Sequence, residues 1–553
     1  MAPFSQERSP LKIATVLGKD KLLAVSLEGE EGINRLFSLT VEALAPAGEE
    51  VRLDRLVGTQ AVVSFLLVKG APERFFHGEI SGVEQVFENT RMLRHRIFLR
   101  PGLARLGLVR RSRIFHERNL PDILREVAGD SCPLVFELGR QDLPTRNLVT
   151  QYRETDLEFF LRLCSETGLA YYWRHGPDKH EMVLTSRTSI AQSAGELAFD
   201  PTDGIARSGP RLRTWAVRQN QVQTQTEVVD SHFQKFGQQI TATSRVGPAL
   251  KVGQQELQLA TVEEPSQEDS QGVARLFDHV NASGLVTTES FDRLDEVMES
   301  RATWGAQGQA AGAVAGAGQG DFCHLEPGKS FQLDGAGAWD GMWICKKLDH
   351  RVSVDGTYWA GEDCKLEIDC RMESAPLSLE QLPWPPIRKP NVGGVVTAVV
   401  TGPEEREVFV DRYGRVKVRY LWDRDAQGEG NDSFWIRVAQ PWAGKGYGAF
   451  FWPRVGHEVV VAFENGDPDR PIIVGSVYNA TNECPFRMPA NAMLQGFKTR
   501  RSGFPDGTHF HTLALSDDPK NPIVHVSSDT AFVVHQRYEQ QNTMPETQFN
   551  MHG

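Results

Sequence analysis

The chain has 553 residues, 40 % hydrophobic and 24 % charged, with 50 glycines and 30 prolines. That length exceeds one hydrophobic core and implies roughly three or four domains, and the supply of turn formers suits a mainly β architecture with a few helices. A formal net charge of −12 argues against a general nucleic-acid binder, which needs a basic footprint to capture phosphate.

In chain order, the first 190 residues alternate strand-like runs (Leu22 to Leu27, Ala61 to Val68, Arg94 to Leu99) with two helices. Asn119-Leu120-Pro121-Asp122 opens the first, with proline in the first turn where its missing N–H costs nothing. Thr155-Asp156-Leu157-Glu158 opens the second as a capping box. Leu157, Phe160, Leu161 and Cys164 then recur at helical spacing, and Gly168 ends the run. Leu169 to Trp173 reads as an aromatic strand. Leu212 to Ala260 is polar, glutamine-rich and β-alternating, and a helical stretch follows around Ser290 to Ala302. Gly305 to Gly320 reads as a flexible Gly/Ala/Gln linker. Strands resume at Lys329 to Leu333 and Met342 to Leu348, and Pro383-Trp384-Pro385-Pro386 marks a boundary. The expected domains are residues 1–386, 387–480 and 481–553.

The chemistry-bearing candidates are few. Gly328-Lys329-Ser330 lacks the glycine that a phosphate loop needs five residues earlier, where Cys323 stands, so it reads as a strand start. Gly316 to Gly320 lacks the third glycine of a dinucleotide fingerprint. There is no Gly-x-Ser-x-Gly elbow, and His457-Glu458 has no second histidine three residues on. Seven cysteines are scattered without a Cys-x-x-Cys pair, which fits a reducing cytoplasm. Cys364 and Cys370 alternate with Leu366 and Ile368 and read as small core residues rather than a disulfide or metal pair. His509 and His511 could share a strand face. Exposed loop histidines are the expectation there, with a metal site on a threefold axis as the sharper alternative. Nine arginines crowd Arg91 to Arg118; Arg94, Arg96 and Arg100 would share a strand face, either solvated or serving as a basic wall or inter-subunit contact. No catalytic, cofactor-binding or metal residue is assigned, and no cofactor is expected. Met1 to Lys12 lacks the apolar core of a signal peptide, and no apolar run is long enough to span a bilayer.

Residues Asp411 to Asn479 are the most informative. Val416, Val418 and Tyr420 alternate with Arg415, Lys417 and Arg419, so one strand face is core and the other charged. Asn465-Gly466 suits a tight turn after Val459, Val461 and Phe463. Asp467-Pro468-Asp469-Arg470-Pro471 is a loop stiffened by two fixed φ angles, with Arg470 expected on a neighbouring carboxylate. About five short strands suit a small closed barrel of the OB type.

The runs Tyr413-Gly414-Arg415-Val416-Lys417-Val418, Gln440-Pro441-Trp442-Ala443-Gly444 and Gly466-Asp467-Pro468-Asp469-Arg470-Pro471, in series, resemble the VgrG spike proteins of bacterial type VI secretion, relatives of contractile-phage tail hubs. Arg74 to Gly78, Pro121 to Glu126, Gln151 to Phe159, Pro327 to Phe331 and Gly496 to Arg500 extend the resemblance over residues 20 to 500. It implies a non-enzymatic homotrimer with an N-terminal hub of two barrel-like domains and an OB-fold neck. Such a spike docks on the hexameric Hcp tube, is driven through a target-cell membrane and carries effectors or adaptors, with no nucleic-acid partner. It also implies assembly in the cytoplasm and secretion without a signal peptide. Family members continue into a trimeric β-helical needle capped by a PAAR protein. Here only about fifty residues follow Arg500, with Ile523 to Val526 and Ala531 to Val534 as the short start of a β-structured tail, so the PAAR partner is in doubt. A hub of a contractile phage or phage-like particle is the alternative, and a cell-wall hydrolase the enzyme reading that finds least support.

Overall fold

The computed structural model describes residues 4 to 531 and residue 533, with breaks at 47–50, 67–72, 87–91, 139–142, 187–191, 203–209, 263, 270–275, 282, 288–290, 292, 323, 356–364, 380–388, 427–432 and 505–506. The expected boundary at 383–386 and Cys364 fall outside the described residues, as do Phe532 and Val534 of the Ala531 to Val534 run.

The N-terminal architecture is one 13-stranded sheet built in two halves. In the first half, Leu11–Ala14, Gln60–Phe65, Arg74–Val86, Met92–Arg100, Ser38–Pro46 and Leu23–Gly32 lie side by side. Period-two alternation drives the packing: Leu39, Val41, Ala43 and Ala45 of one strand all point into the core. Leu23–Gly32 then pairs antiparallel with Gly341–Asp355, from Ser26↔Ser353 to Gly32↔Lys347. In the second half, Gly341–Asp355, Ser330–Asp334, Ser193–Phe199, Arg211–Gln219, Val314–Gly320 and Cys370–Pro376 follow in order. Cys370–Pro376 pairs back onto Gly341–Asp355, which closes a six-stranded ring. Lys365–Ile368 pairs on the same long strand, so Ile368 and Cys370 belong to two successive strands rather than one.

A buried polar cluster sits at the seam between the halves. Glu31 accepts from Arg74 (2.8 Å) and lies 2.9 Å from His350 Nε2, while Arg74 also reaches Glu326 at 2.8 Å. Burial alone would lower the His350 pKa, but its bonds to Cys370 and Glu31 lift it to about 9. Nearby, His77 and His180 face each other at 3.0 Å, and the Gly102 N–H donates to His180 Nε2. Burial, reinforced by His175 and His77, drops the His180 pKa to about 3.

Both expected helices form between the halves. Asn119 caps Leu120–Ala128 by accepting from the Asp122 N–H (2.9 Å). Thr155 and Glu158 complete a reciprocal capping box for Asp156–Glu166. The expected flexible linker at 305–320 is instead ordered: a helix runs over Leu294–Ala310 and a strand over Val314–Gly320. Its small residues serve close packing. Ala302, Ala306 and Ala310 are fully buried in the helix, and a Cβ on Gly305 would stand 2.9 Å from Thr226. In the strand, Gly316 leaves room for the Trp215 ring, which a Cβ there would meet at 2.5 Å.

The C-terminal barrel orders its strands Lys417–Tyr420, Val395–Thr401, Glu458–Phe463, Pro471–Val477 and Arg437–Val438. A bridge between Val416 and Ile436 joins the two ends of that series and closes the barrel. Ala398, Val400, Val416, Val418, Val459, Val461 and Ile473 fill it. Three antiparallel strands then form the tail sheet: Leu494–Lys498, His511–Ser516 and Ile523–Ser528.

Candidate assembly interfaces

One side of the barrel is welded to the N-terminal unit. The alternation from Arg415 to Tyr420 holds, but only Arg419 of the charged face is solvated: Arg415 and Lys417 are each only 1 % exposed. Arg415 is held by Asp411 (2.7 Å) on its own turn and by Asp278 of the N-terminal unit. Lys417 lies over the Trp435 ring at 5.2 Å. The Asp278 N–H donates to Asn147 Oδ1 (2.7 Å), and the Trp435 indole donates to the Asn281 carbonyl (3.0 Å). Leu148, Val280, Phe434 and Trp435 make the apolar part of this joint. A cavity of about 60 Å³ remains among Arg415, Phe233, Asp278 and Trp435. The sequence showed the alternation but carried no sign of the partner unit that covers the charged face.

The proline-rich loop does more than turn the chain. Asn465 adopts φ 54° at the expected tight turn, and Arg470 pairs with Glu464 at 3.1 Å, the carboxylate partner expected for it. Asp469 accepts from the Thr150 N–H (2.7 Å) of strand Arg146–Thr155, and Lys389 bridges Asp467 (3.2 Å) and Asp469 (3.0 Å). Behind Thr150, the fully buried Arg162 pairs with Glu154 and Glu166. Burial alone would raise the Glu166 pKa, but Arg162, Lys389 and Arg146 hold it well below the usual carboxylate range.

The hairpin that follows strand Arg437–Val438, and the tail sheet, are apolar and open. The hairpin Trp442–Gly444 and Tyr447–Ala449 exposes Trp442, Tyr447, Phe450 and Phe451, each by more than half. Val477 and Tyr478 at the end of the barrel add to it, and Phe451 stacks on Phe497 of the tail at 5.2 Å. In the tail sheet Leu513, Leu515, Ile523, Val524 and Val526 are all exposed. Monomeric proteins rarely leave contiguous apolar surface of this kind uncovered.

The two tail histidines, Arg94 and Arg96 each have a partner within the chain. His509 Nδ1, in the loop before the tail strand His511–Ser516, meets Asp529 at 2.8 Å, and His511 Nδ1, at the start of that strand, meets Ser528 Oγ at 2.9 Å. Among the described residues no group of three His, Cys, Asp or Glu side chains could hold a metal ion. Arg94 and Arg96 both bind Glu42 of the neighbouring strand, so their carboxylate partner lies within the chain. Lys329 precedes the Ser330–Asp334 strand, as expected. No helix among the described residues is long and apolar enough to cross a membrane.

Residues 30–356 match the family model described as phage tail baseplate hub, and residues 396–478 match the type VI secretion system/phage-baseplate injector OB domain. Fold and interfaces therefore define a contractile-tail hub bonded to an OB barrel. The type VI secretion system spike protein VgrG1a of Pseudomonas aeruginosa is 31 % identical over 516 residues, spanning 91 % of this chain and 74 % of that protein. The chain belongs to the VgrG family of type VI secretion spike proteins. Two solved structures show the same fold. The Escherichia coli c3393 protein, a component of the type VI secretion system with structural similarity to the T4 tail proteins gp27 and gp5, matches at TM-score 0.54 and 19 % identity, over 84 % of this chain and 100 % of that one. A chain of the half-lidded Francisella PdpA-VgrG complex matches at TM-score 0.55 and 8 % identity, over 94 % and 88 %.

Proposed function

We propose that this spike protein is a non-enzymatic homotrimer whose N-terminal hub docks on the hexameric Hcp tube and which is propelled into target cells with effectors or adaptors. The observation that supports it best is the exposed aromatic hairpin, stacked through Phe451 on a tail sheet that bears Phe497, Leu513, Leu515, Val524 and Val526 on one open face. Three copies would cover that surface around one axis, which suits the VgrG resemblance. The hub of two barrel-like halves would then present a ring of near-sixfold shape to the tube. A PAAR-type tip protein and passage through a target membrane belong to the same reading, as does secretion after assembly in the cytoplasm. No nucleic-acid role is proposed, in keeping with the acidic balance.

Size-exclusion chromatography with light scattering tests the assembly. The expected particle is about three times 61.7 kDa, and Hcp rings should co-elute with it. A strictly monomeric particle at every concentration, with no Hcp binding, would overturn the reading. Absence of peptidoglycan turnover by the purified protein checks the non-enzymatic half.

A further inference from the structure

The joint between hub and barrel contains a cluster of buried charges. Lys389 comes from the connector, Asp467 and Asp469 from the barrel loop, Arg146 and Glu154 from one hub strand, and Arg162 and Glu166 from one hub helix. Each of these side chains is at most one-tenth exposed. They form one path: Lys389 grips both loop aspartates, Asp469 accepts from the Thr150 N–H, the Thr150 carbonyl accepts from Arg162 (2.9 Å), and Arg162 and Arg146 both hold Glu166. Three cations thus face four carboxylates among the described residues. An ionised carboxylate without its own cation is costly in such surroundings.

We propose that this cluster is a proton-tuned clasp: it takes up one proton on Asp467 in mildly acidic solution, which tightens the joint between hub and barrel and leaves it looser at neutral pH.

The groups around Asp467 fit that assignment. Lys389 faces it from the connector, Asp469, Glu464 and Arg470 stand on its own loop, and Arg162 and Glu166 lie behind Asp469 from the hub. Burial raises the Asp467 pKa, Lys389 opposes, Asp469 raises it again, and the balance stands at about 6. The sign follows: a carboxyl whose pKa is above its unfolded value opposes folding once ionised, and that penalty fades as pH falls through 6. Asp469, tied to both Lys389 and a backbone N–H, keeps the structural bond in either state. The clasp lies within one chain and does not depend on how many copies assemble.

Hydrogen exchange of the intact protein, followed by mass spectrometry at pH 5.5 and 7.5 and corrected for intrinsic rates, tests the clasp. Peptides covering 146–155 and 464–471 should exchange more slowly at pH 5.5, on the order of fourfold. Asp467→Asn should remove that pH dependence and protect both peptides at pH 7.5. Asp469→Asn should speed exchange at both pH values. Identical pH dependence in wild type and Asp467→Asn would overturn the proposal, as would an Asp469→Asn variant that exchanges like wild type. Light scattering on the same samples reports copy number separately, so a wrong assembly state would leave this result standing.

Discussion

Two regions of the C-terminal barrel invert the usual distribution of polarity. At and beside the hub joint, Arg415, Lys417, Asp411 and Asp469 are buried; on the hairpin and just after it, Trp442, Tyr447, Phe450 and Phe451 are exposed. The difference separates surfaces completed within one chain from surfaces awaiting another. A buried charge is tolerated only when its partners are already in place, and the hub supplies Asp278 to Arg415 and the Thr150 N–H to Asp469 for that purpose. The exposed aromatic hairpin has only local support from its own chain, the Trp442–Tyr447 and Phe450–Trp452 ring contacts and the Phe451–Phe497 stack, and these leave Trp442, Tyr447, Phe450 and Phe451 each more than half exposed.

The contrast can be broken most sharply at Arg415. Arg415→Ala leaves Asp411 and Asp278 buried without their cation and should cost roughly 3–5 kcal/mol, read from denaturant unfolding. A change below about 1 kcal/mol would mean that the joint is not a folded-state necessity. The hub's buried histidines extend the contrast to pH. His180 is neutral in the fold with its pKa depressed to about 3, so its stabilisation is present above the unfolded value near 6.5 and is lost as pH falls from there toward 3. His350 is raised to about 9, so its contribution is complete below 6.5 and disappears as pH rises through 9. Thermal unfolding should therefore weaken at both extremes, and His350→Gln should flatten the alkaline arm. A smaller effect is expected at the helix that carries Arg162: Thr155→Ala removes the capping box and should cost about 1 kcal/mol, measured in the same unfolding experiment. Least of all should happen to the single chain in Trp442→Ala, within about 0.5 kcal/mol. That variant should instead lower the assembled mass in light scattering, and an unchanged particle would remove the hairpin from the proposed interface.

Much of this was legible in the residues because local rules wrote it. The Asn119 cap, the Thr155-Glu158 box and the Asn465 turn each need only a few neighbours, and each stands where expected. The Gly305 to Gly320 stretch misled because glycine and alanine signal looseness in composition while serving close approach in three dimensions. Only Thr226 and Trp215, some eighty to a hundred residues away, show why those residues are small. The buried face of Arg415 and Lys417 was hidden for a related reason. An alternating strand reports that one face is polar, and says nothing about whether another unit covers it. The carboxylate partner of Arg470 lies six residues away and was within reach; the bond from Asp469 to Thr150, 319 residues apart, was not.

The pairing of Leu23–Gly32 with Gly341–Asp355 also has a consequence for biosynthesis. Gly32 finds Lys347 only after more than three hundred further residues have been made, on the order of tens of seconds at ordinary ribosome speed. Until then the first half of the sheet presents an open edge, and Glu31 waits buried-to-be without its His350. Long-range closure of this kind slows folding and leaves a strand free to pair wrongly. The edge that completes the hub is thus the last part of its first half to be covered.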